Sequence, residues 1–330
     1  MKIPKLSKKP LVSIVIPAYI VSARFSEDLR KFDLLTYPNY EILVICDKKI
    51  QLPKVKNIRL IVTKAGHTTG PAEKRDIALR HAKGEICAYI DDDAYPDPTW
   101  LTQAIELFRT YPVIVALGGP GVTPPEDPYL AQISGIVYES DLTSGKLKFR
   151  FTNAHQKRQY MTDWPAYNLF IKTNVLKSVG GWESTFYGGE DTFVCLKLLK
   201  YGKMLYDPDV VVYHHRRPLF SQYLRQISNV GVHRGYFFKR YPETSRSLFY
   251  CLPLLLTIGF WLLVMMSIIS LPARLIFGLV FLIFYSMAYG SVSGKTNVFG
   301  SLLASLGVIL THMAYGWGFL NGLLTDHMVR

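Results

Sequence analysis

Residues 10–215 alternate short apolar runs with longer segments in which apolar and polar residues mix. Apolar runs bounded by Gly, Pro, Asn or Asp are typical of buried strands, and the mixed segments between them are typical of helices. The predicted strands are Leu11–Pro17, Glu41–Cys46, Ile58–Thr63, Glu85–Ile90 and Val113–Leu117. The predicted helices are Ser22–Leu35, Pro71–Lys83, Pro98–Arg109, Thr173–Val179 and Thr192–Tyr201. This alternation predicts an α/β fold with a mostly parallel sheet and helices on both faces.

Charged residues disappear from three windows in the C-terminal quarter. No Asp, Glu, Lys or Arg lies between Arg246 and Arg274, between Arg274 and Lys295, or between Lys295 and Asp326. About 20 predominantly apolar residues are needed to cross a bilayer as a helix, and each window supplies them. The third window is less hydrophobic, because it holds His312 and many glycines. The windows predict a membrane domain with two to three transmembrane helices.

Positive charge is concentrated just before the first window. The chain has 330 residues and a formal net charge of +13, and its basic cluster is Arg216, Arg217, Arg225, Arg234, Lys239, Arg240 and Arg246. Basic residues beside a span mark its cytoplasmic side and attract anionic headgroups. We therefore expect membrane lipids and no nucleic acid as partners, and a multi-pass cell-membrane protein whose first domain is cytoplasmic. The predicted domains are 1–245, which ends in this basic juxtamembrane segment, and 246–330.

Three consecutive carboxylates, Asp91-Asp92-Asp93, follow the predicted strand Glu85–Ile90. Open α/β folds bind ligands at the carboxyl edge of the sheet, where this strand would end. Adjacent carboxylates repel one another, and a hard divalent cation relieves the repulsion while leaving positions for water and substrate phosphates. The alternative is a solvated acidic turn or a helix N-cap. The triplet alone leaves both interpretations open.

Other charged residues also permit a functional and a structural interpretation. Asp47 follows a predicted strand and either accepts hydrogen bonds from a nucleoside or stabilises a turn. Arg75 either reaches a phosphate or is an exposed helix charge. Glu190 and Asp191 lie in the first turn of a predicted helix, where acids complement the helix dipole. The alternative is that the glycines before them permit close approach of a ligand and that one of the acids acts as a general base.

Two aromatic residues and one basic run complete the candidates. Arg216 and Arg217, which follow two histidines, either bind phosphate through guanidinium forks or are membrane-surface charges. Trp164 and Trp182 either stack on a sugar or are buried core aromatics. None of these residues decides a function by itself.

The order of these motifs resembles the family 2 glycosyltransferases, which are inverting enzymes of the GT-A fold. The motifs are Ser13–Tyr19, Glu41–Val44, Gly84–Ile86, Tyr89–Asp93, Val179–Trp182 and Gly189–Thr192. The match covers about residues 10–215. It implies a GT-A fold, which is a Rossmann-like mostly parallel sheet with helices on both faces, followed by the C-terminal transmembrane helices.

The resemblance also implies roles for individual residues. Asp191 matches the acid that deprotonates the acceptor hydroxyl, and Asp93 matches the ligand of Mg²⁺ or Mn²⁺. The other expected donor-binding residues are Pro17, Ala18, Tyr19, Asp47, Arg75, Asp91 and Asp92. Asp47 matches the nucleobase contact, and Asp92 is the middle residue, which we expect to tolerate change. The expected acceptor or phosphate residues are Trp164, Glu190, Arg216 and Arg217.

The implied function is transfer of a sugar from a UDP- or GDP-sugar to a membrane-associated, polyprenyl-linked acceptor. One alternative is a polyprenyl-phosphate sugar synthase, whose acceptor is already ionised and needs no base. An alternative of another class is a non-catalytic, membrane-anchored nucleotide-binding protein. The chain departs from the family pattern at Ile20, where Asn is usual. It also lacks the Q-x-x-R-W motif of processive synthases, which favours a single addition.

Overall fold

The computed structural model describes residues 6–19, 22–63, 68–182 and 188–328. Ile20, the departure from the family pattern, lies outside these residues. The chain divides into a first unit within 1–122 and 152–215 and a second unit within 123–151 and 216–328. This division differs from the predicted boundary at residue 245. Residues 123–151 and 216–245, which the sequence grouped with the first domain, belong to the second unit.

The described strands form two sheets in the first unit. They are β1 Val12–Pro17, β2 Tyr40–Cys46, β3 Ile58–Val62, β4 Ile86–Tyr89, β5 Ala94–Pro96, β6 Ile114–Gly118, β7 Gly121–Val122, β8 Gln159–Met161, β9 Leu169–Lys172, β10 Lys203–Tyr206 and β11 Val212–His214. The large sheet has the order β3-β2-β1-β4-β9-β6-β10-β8, and the small sheet has the order β5-β11-β7. Strands β3, β2, β1 and β4 are parallel, whereas β9 runs antiparallel to both of its neighbours. The predicted mostly parallel α/β sheet is confirmed.

The described helices occur in both units. They are α1 Ala23–Lys31, α2 Pro71–His81, α3 Trp100–Thr110, α4 Tyr129–Tyr138, α5 Asp141–Ser144, α6 Thr173–Ser178, α7 Glu190–Leu198, α8 Ser221–Arg240, α9 Pro242–Ser245, α10 Leu248–Ile269, α11 Leu271–Val292 and α12 Val298–Leu324. Short 3-10 helices span Phe32–Leu34, Gly145–Arg150 and Ala166–Asn168. Each predicted helix is present with ends shifted by a few residues. The largest shift is in Ser22–Leu35, where Ser22 caps α1 and a 3-10 turn ends the segment.

The core of the first unit explains why the strands are so apolar. The residues of β1, β2 and β4 are almost completely buried because both faces of the sheet are covered. Trp100 of α3 is fully buried, packs on Phe170, and donates its indole N–H to Asn168 Oδ1 at 2.9 Å. Burying a large apolar side chain contributes about 1.5–3 kcal/mol, so this core fixes the sheet firmly.

The parallel strands place their carboxyl ends at one edge of the large sheet. Pro17 of β1 pairs with Ile45 of β2, and Val15 of β1 pairs with Tyr89 of β4. The residues that follow β2 and β4 therefore emerge at the same edge, on either side of β1. These residues include Asp47 and Asp91, which brings two of the predicted site residues to the same edge.

The second unit is organised around α8 and α12. A Cβ atom on Gly235 of α8 would lie 2.1 Å from the carbonyl oxygen of Phe319, and one on Gly318 of α12 would lie 2.1 Å from that of Ser228. Small residues let two helix backbones approach this closely. This contact is the physical reason that α8 belongs to the second unit.

Three helices of the described chain are long and apolar enough to cross a membrane: α10, α11 and α12. Only 6% of the most apolar window of α10 and 11% of that of α11 are buried, against 50% for α12. The predicted two to three spans are therefore present as candidate helices. Helix α12, which corresponds to the third and least hydrophobic window, is the one that packs most against its own chain.

Candidate active site

Helix α2 carries consecutive residues that contact different parts of the carboxyl edge. Lys74 is buried, and its Nζ donates to the carbonyl oxygen of Ala18 at 2.8 Å, just beyond β1. The same Nζ lies 3.2 Å from Asp47 Oδ2, just beyond β2. Lys74 therefore ties the ends of two strands together. It was not among the residues that the sequence pointed to.

Asp47 lies in a shell of donors. Its Oδ1 accepts hydrogen bonds from the Thr63 hydroxyl at 2.8 Å and from the Thr69 hydroxyl. Burial acts to raise the pKa of Asp47, but the two hydroxyls and the Lys74 ammonium together lower it. The carboxylate is therefore held ionised as a hydrogen-bond acceptor at the sheet edge.

The middle carboxylate of the triplet connects two strand ends. Asp92 Oδ2 accepts a hydrogen bond from the backbone N–H of Tyr19 at 2.9 Å. Burial raises the pKa of Asp92 to about 6, against the effect of the Tyr19 hydrogen bond and with a further contribution from the charge of Asp93. Asp92 thus orders the residues after β1, of which Ala18 is buried and the Tyr19 side chain is 68% exposed. Pro17, the last residue of β1, is partly buried.

The outer two carboxylates meet a histidine. Ligand atoms of Asp91, Asp93 and His214 all lie within 4.8 Å of one another, and Asp93 Oδ1 is 3.0 Å from His214 Nε2. Strand β11 places His214 opposite Ala94 in β5, directly after the triplet. Two carboxylates and an imidazole form a donor set that suits Mn²⁺, and the carboxylates also suit Mg²⁺. The residues present therefore fit a divalent cation.

His214 was missed as a candidate metal ligand. The sequence offered two histidines before two arginines, a pattern that indicated phosphate or membrane contact. Its only other signal was its position after an extended segment. The ring of His214 stacks on Tyr167 with centroids 4.8 Å apart, which fixes the direction in which Nε2 points.

Arg75 bridges the triplet and α7. Its Nη2 is 3.1 Å from Asp91 Oδ1, and its Nη1 is 3.1 Å from Glu190 Oε1. Its guanidinium also lies 4.7 Å from the ring centroid of Trp182. Burial acts to lower the pKa of Arg75, but the charges of Asp91 and Glu190 raise it. Arg75 is buried, so the alternative of an exposed helix charge is wrong.

A glycine turn holds Trp182 against Arg75. Gly180 and Gly181 have positive φ angles of 84° and 77°, a conformation that glycine adopts without strain. The next backbone N–H, that of Trp182, donates to Asp76 Oδ1 of α2 at 2.8 Å. Trp182 is fully buried, and its ring packs against the Arg75 guanidinium.

The first turn of α7 carries two acids in different environments. Glu190 is buried and paired with Arg75. Asp191 is half-buried, and burial raises its pKa to about 7, with contributions from the charges of Glu190 and Asp163 and against that of Arg75. Gly189 precedes the helix with φ 78°. A carboxyl group with a pKa near neutrality is suited to proton transfer.

The other three predicted acceptor or phosphate residues are two buried side chains and one exposed side chain. Trp164 is fully buried in the first unit, where its ring lies 5.2 Å from that of Tyr206. Arg216 belongs to the second unit, is buried, and lies over the Tyr138 ring at 5.2 Å. Arg217, also of the second unit, is exposed. Trp164 is therefore packed among side chains of the first unit, and Arg216 is buried against side chains of the second unit.

The family is decided by the sequence profile that the chain matches. The profile of glycosyl transferase family 2 covers residues 13–177. The chain belongs to this family. The resemblance based on motif order is confirmed, and the triplet Asp91-Asp92-Asp93 lies at the centre of the matched region.

Individual relatives extend the comparison. The chain is 24% identical over 186 residues to the pre-mycofactocin glycosyltransferase of Mycobacterium tuberculosis, covering 55% of this chain and 38% of that protein. It is 31% identical over 105 residues to the UDP-Glc:alpha-D-GlcNAc-diphosphoundecaprenol beta-1,3-glucosyltransferase WfaP of Escherichia coli, covering 30% of this chain and 42% of that protein. The chain thus spans less than half of the length of these two relatives.

A solved structure supports the fold. The mannosyltransferase PcManGT from Pyrobaculum calidifontis, in complex with GDP-Man and Mn²⁺, aligns with a TM-score of 0.61 and 18% identity. The alignment covers 92% of this chain and 86% of PcManGT. At this identity the likeness establishes the GT-A architecture, and the predicted fold class is confirmed.

Proposed function

We propose that this protein is an inverting glycosyltransferase that moves a sugar from a nucleotide-diphosphate sugar to a polyprenyl-linked acceptor at a membrane. The observation that carries the proposal is the continuous chain Asp91–Arg75–Glu190, with 3.1 Å contacts on both sides of the guanidinium. It connects a candidate metal cluster to the first turn of α7, where Asp191 has a pKa near neutrality. A donor site and a base at one edge are what sugar transfer requires.

The donor is proposed to lie along the ends of β1, β2 and β4. Asp47 is ionised and accepts hydrogen bonds, which suits contact with a nucleobase or ribose. Tyr19 offers an exposed ring near Lys74, the ion-pair partner of Asp47. Asp93, with Asp91 and His214, would hold Mg²⁺ or Mn²⁺. Such a cation supplies Lewis-acid assistance to departure of the nucleotide diphosphate. The complex of PcManGT with GDP-Man and Mn²⁺ supports this class of donor and metal.

Asp191 is the proposed base. It takes the proton from an acceptor hydroxyl, whose oxygen then attacks the anomeric carbon from the face opposite the leaving group and inverts it. General-base catalysis of this kind contributes about 10²–10⁴-fold to the rate. Glu190, which is committed to Arg75, orients the turn that carries Asp191.

The acceptor is proposed to be lipid-linked. Three candidate spans would hold the protein at the bilayer, with the catalytic unit on the cytoplasmic side, where basic flanking residues favour it. The name of the Escherichia coli relative specifies a diphosphoundecaprenol-linked acceptor, which supports the same class here. Confinement to a membrane raises the effective concentration of such an acceptor.

The test combines binding and turnover in detergent. UDP- and GDP-sugars are screened with and without Mn²⁺ for thermal stabilisation, since ligand binding raises apparent stability by mass action. We expect stabilisation by one donor that requires metal and is lost in Asp93→Asn but kept in the control Glu106→Gln, an exposed acid on α3.

Turnover of that donor then decides the remaining roles. Loss of transfer in Asp191→Asn supports the base, whereas a mild effect would indicate an already ionised polyprenyl phosphate as acceptor. Full donor binding and transfer in Asp93→Asn would overturn the proposed metal site. Absence of stabilisation by every donor would favour a different function.

A further inference from the structure

The second unit contains a cavity that the proposed catalytic steps do not use. Its volume is about 190 Å³. It lies among α4, α5, the 3-10 helix Gly145–Arg150, α8, α10 and α12, and all of its lining residues belong to this unit. The first turns of α10, a candidate span, form one wall through Phe249 and Pro253. The cavity therefore adjoins a helix that is suited to the bilayer.

The lining combines apolar walls with positive charge. Arg150 and Arg234 line the cavity, and no Asp or Glu does so among the described residues. Arg234 is positioned from two sides: its guanidinium lies 4.5 Å from the Tyr250 ring centroid, and its Nη1 lies 3.4 Å from Ser245 Oγ. The lining thus presents two guanidinium groups, whose forked geometry suits phosphate.

The walls also contain polar atoms that have no hydrogen-bond partner within the described chain. These are Thr143 Oγ1, His312 Nδ1 and Tyr315 OH, each of them buried and on a residue that lines the cavity. Buried polar groups are almost always hydrogen-bonded in native proteins. A ligand that brings polar atoms into the cavity would satisfy groups that the protein leaves open.

The size of the cavity limits the ligand. An apolar cavity of about 150 Å³ accommodates benzene, so this one accommodates a short segment of a single hydrocarbon chain. Two acyl chains side by side need more room. Size, apolar walls and arginines together describe the end of a single-chain amphiphile that carries a phosphate.

We propose that this cavity binds the headgroup-proximal end of a single-chain lipid phosphate. The hydrocarbon lies against Phe249 and the neighbouring apolar side chains, and the phosphate lies at Arg150 and Arg234. The identification of this lipid with the acceptor rests on the proposed function, whereas the binding itself does not.

The experiment measures binding without turnover. Purified full-length protein in detergent is titrated with farnesyl phosphate, and competition is measured with farnesol, inorganic phosphate and phosphatidylglycerol. Arg150→Gln and Arg234→Gln each remove one charge, and Val230→Trp fills the cavity from an exposed position on α8. The matched control is Arg225→Gln, an exposed arginine of α8 outside the lining.

We expect each of the three cavity variants to bind farnesyl phosphate at least about tenfold more weakly, because charge-assisted contacts or space are lost, while Arg225→Gln binds like wild type. Farnesol and inorganic phosphate should compete poorly, since each supplies only half of the ligand. Unchanged affinity in the cavity variants with unchanged melting temperatures would overturn the inference.

Two further outcomes would also overturn it. Equal competition by inorganic phosphate would indicate a phosphate site, and equal competition by phosphatidylglycerol would indicate a general site for anionic lipids. Lipid binding that persists when no donor sugar is transferred would count against the proposed function and leave this inference standing.

Discussion

At the carboxyl edge of the first unit, charged side chains face one another, whereas in the second unit α8 and α12 meet through glycines. Arg75 is held between Asp91 and Glu190 by 3.1 Å ion pairs. Gly318 lies so close to α8 that a Cβ atom would be 2.1 Å from the carbonyl oxygen of Ser228. Both regions are close-packed. Ion pairs form the contacts in the first region, and glycines, which have no side chain, allow the close contact in the second.

The difference separates function from stability. Burying charges carries a desolvation cost that ion pairing offsets only in part, so charges gathered at one edge indicate chemistry. Glycines at a helix contact permit dense packing and carry no chemistry of their own. Substitutions at the carboxyl edge should therefore change activity most, and substitutions at the glycine contact should change stability alone.

The largest expected effect is on the rate when Asp191 is replaced by Asn. An amide accepts no proton, so kcat should fall about 10²–10⁴-fold while the protein stays at least as stable as wild type. The measurement is transfer of labelled sugar to a lipid-linked acceptor. Glu106→Gln serves as the control. Unchanged kcat would remove Asp191 from the mechanism and weaken the contrast between the two regions.

A smaller effect, on both stability and rate, is expected for Arg75→Met. Removing this cation leaves Glu190 as an unpaired buried charge, and loss of one partner of a buried pair costs about 3 kcal/mol. The measurement is denaturant unfolding followed by tryptophan fluorescence. Arg80→Met, at an exposed position of the same helix, should unfold like wild type. Equal stability of the two variants would show that the bridge contributes nothing.

The glycine contact is tested by a matched pair of substitutions. Gly318→Ala should lower the free energy of unfolding by about 1–3 kcal/mol, because the added methyl group forces the helices apart. Gly278→Ala in α11, where a Cβ would meet nothing within 4 Å, should not destabilise the protein. Both variants should bind the donor sugar normally. Loss of donor binding in Gly318→Ala would show that packing in the second unit also serves the site.

The smallest expected effect is a pH dependence. The pKa of Asp191 is raised to about 7, and the ionised form is the base, so kcat/KM should fall about tenfold per pH unit below that value. The folded state holds this proton more tightly than the unfolded state. The contribution of Asp191 to stability therefore declines as the pH rises towards 7. A profile that is flat between pH 5 and 8 would assign the base elsewhere.

Much of the site could be predicted because it depends on strand ends. Asp47 and Asp91 follow apolar runs that each form a parallel neighbour of β1, and parallel strands end at the same edge. Glu190 and Asp191 follow a glycine pair that starts a helix. The local sequence pattern is enough to predict a site residue where neighbouring residues determine both the strand or helix and the position at which it begins or ends.

Long-range pairing could not be predicted in the same way. His214 reaches Asp93 only because β11 pairs with β5, and nothing near His214 in the chain indicates that partner. The sequence left Arg75 open between a phosphate contact and an exposed helix charge, because its partners, Asp91 and Glu190, are 16 and 115 residues away. Lys74 was missed for the same reason.

The sequence by itself determined the fold class, the aspartate triplet at a strand end and the apolar C-terminal windows, since each follows from periodicity, composition or motif order within one segment. Only the tertiary structure decided which charges are paired, that His214 joins the carboxylates, and that α8 belongs with α12. These features depend on side chains and backbones from distant segments meeting at a few ångströms. Such contacts are set by the packing of the whole chain.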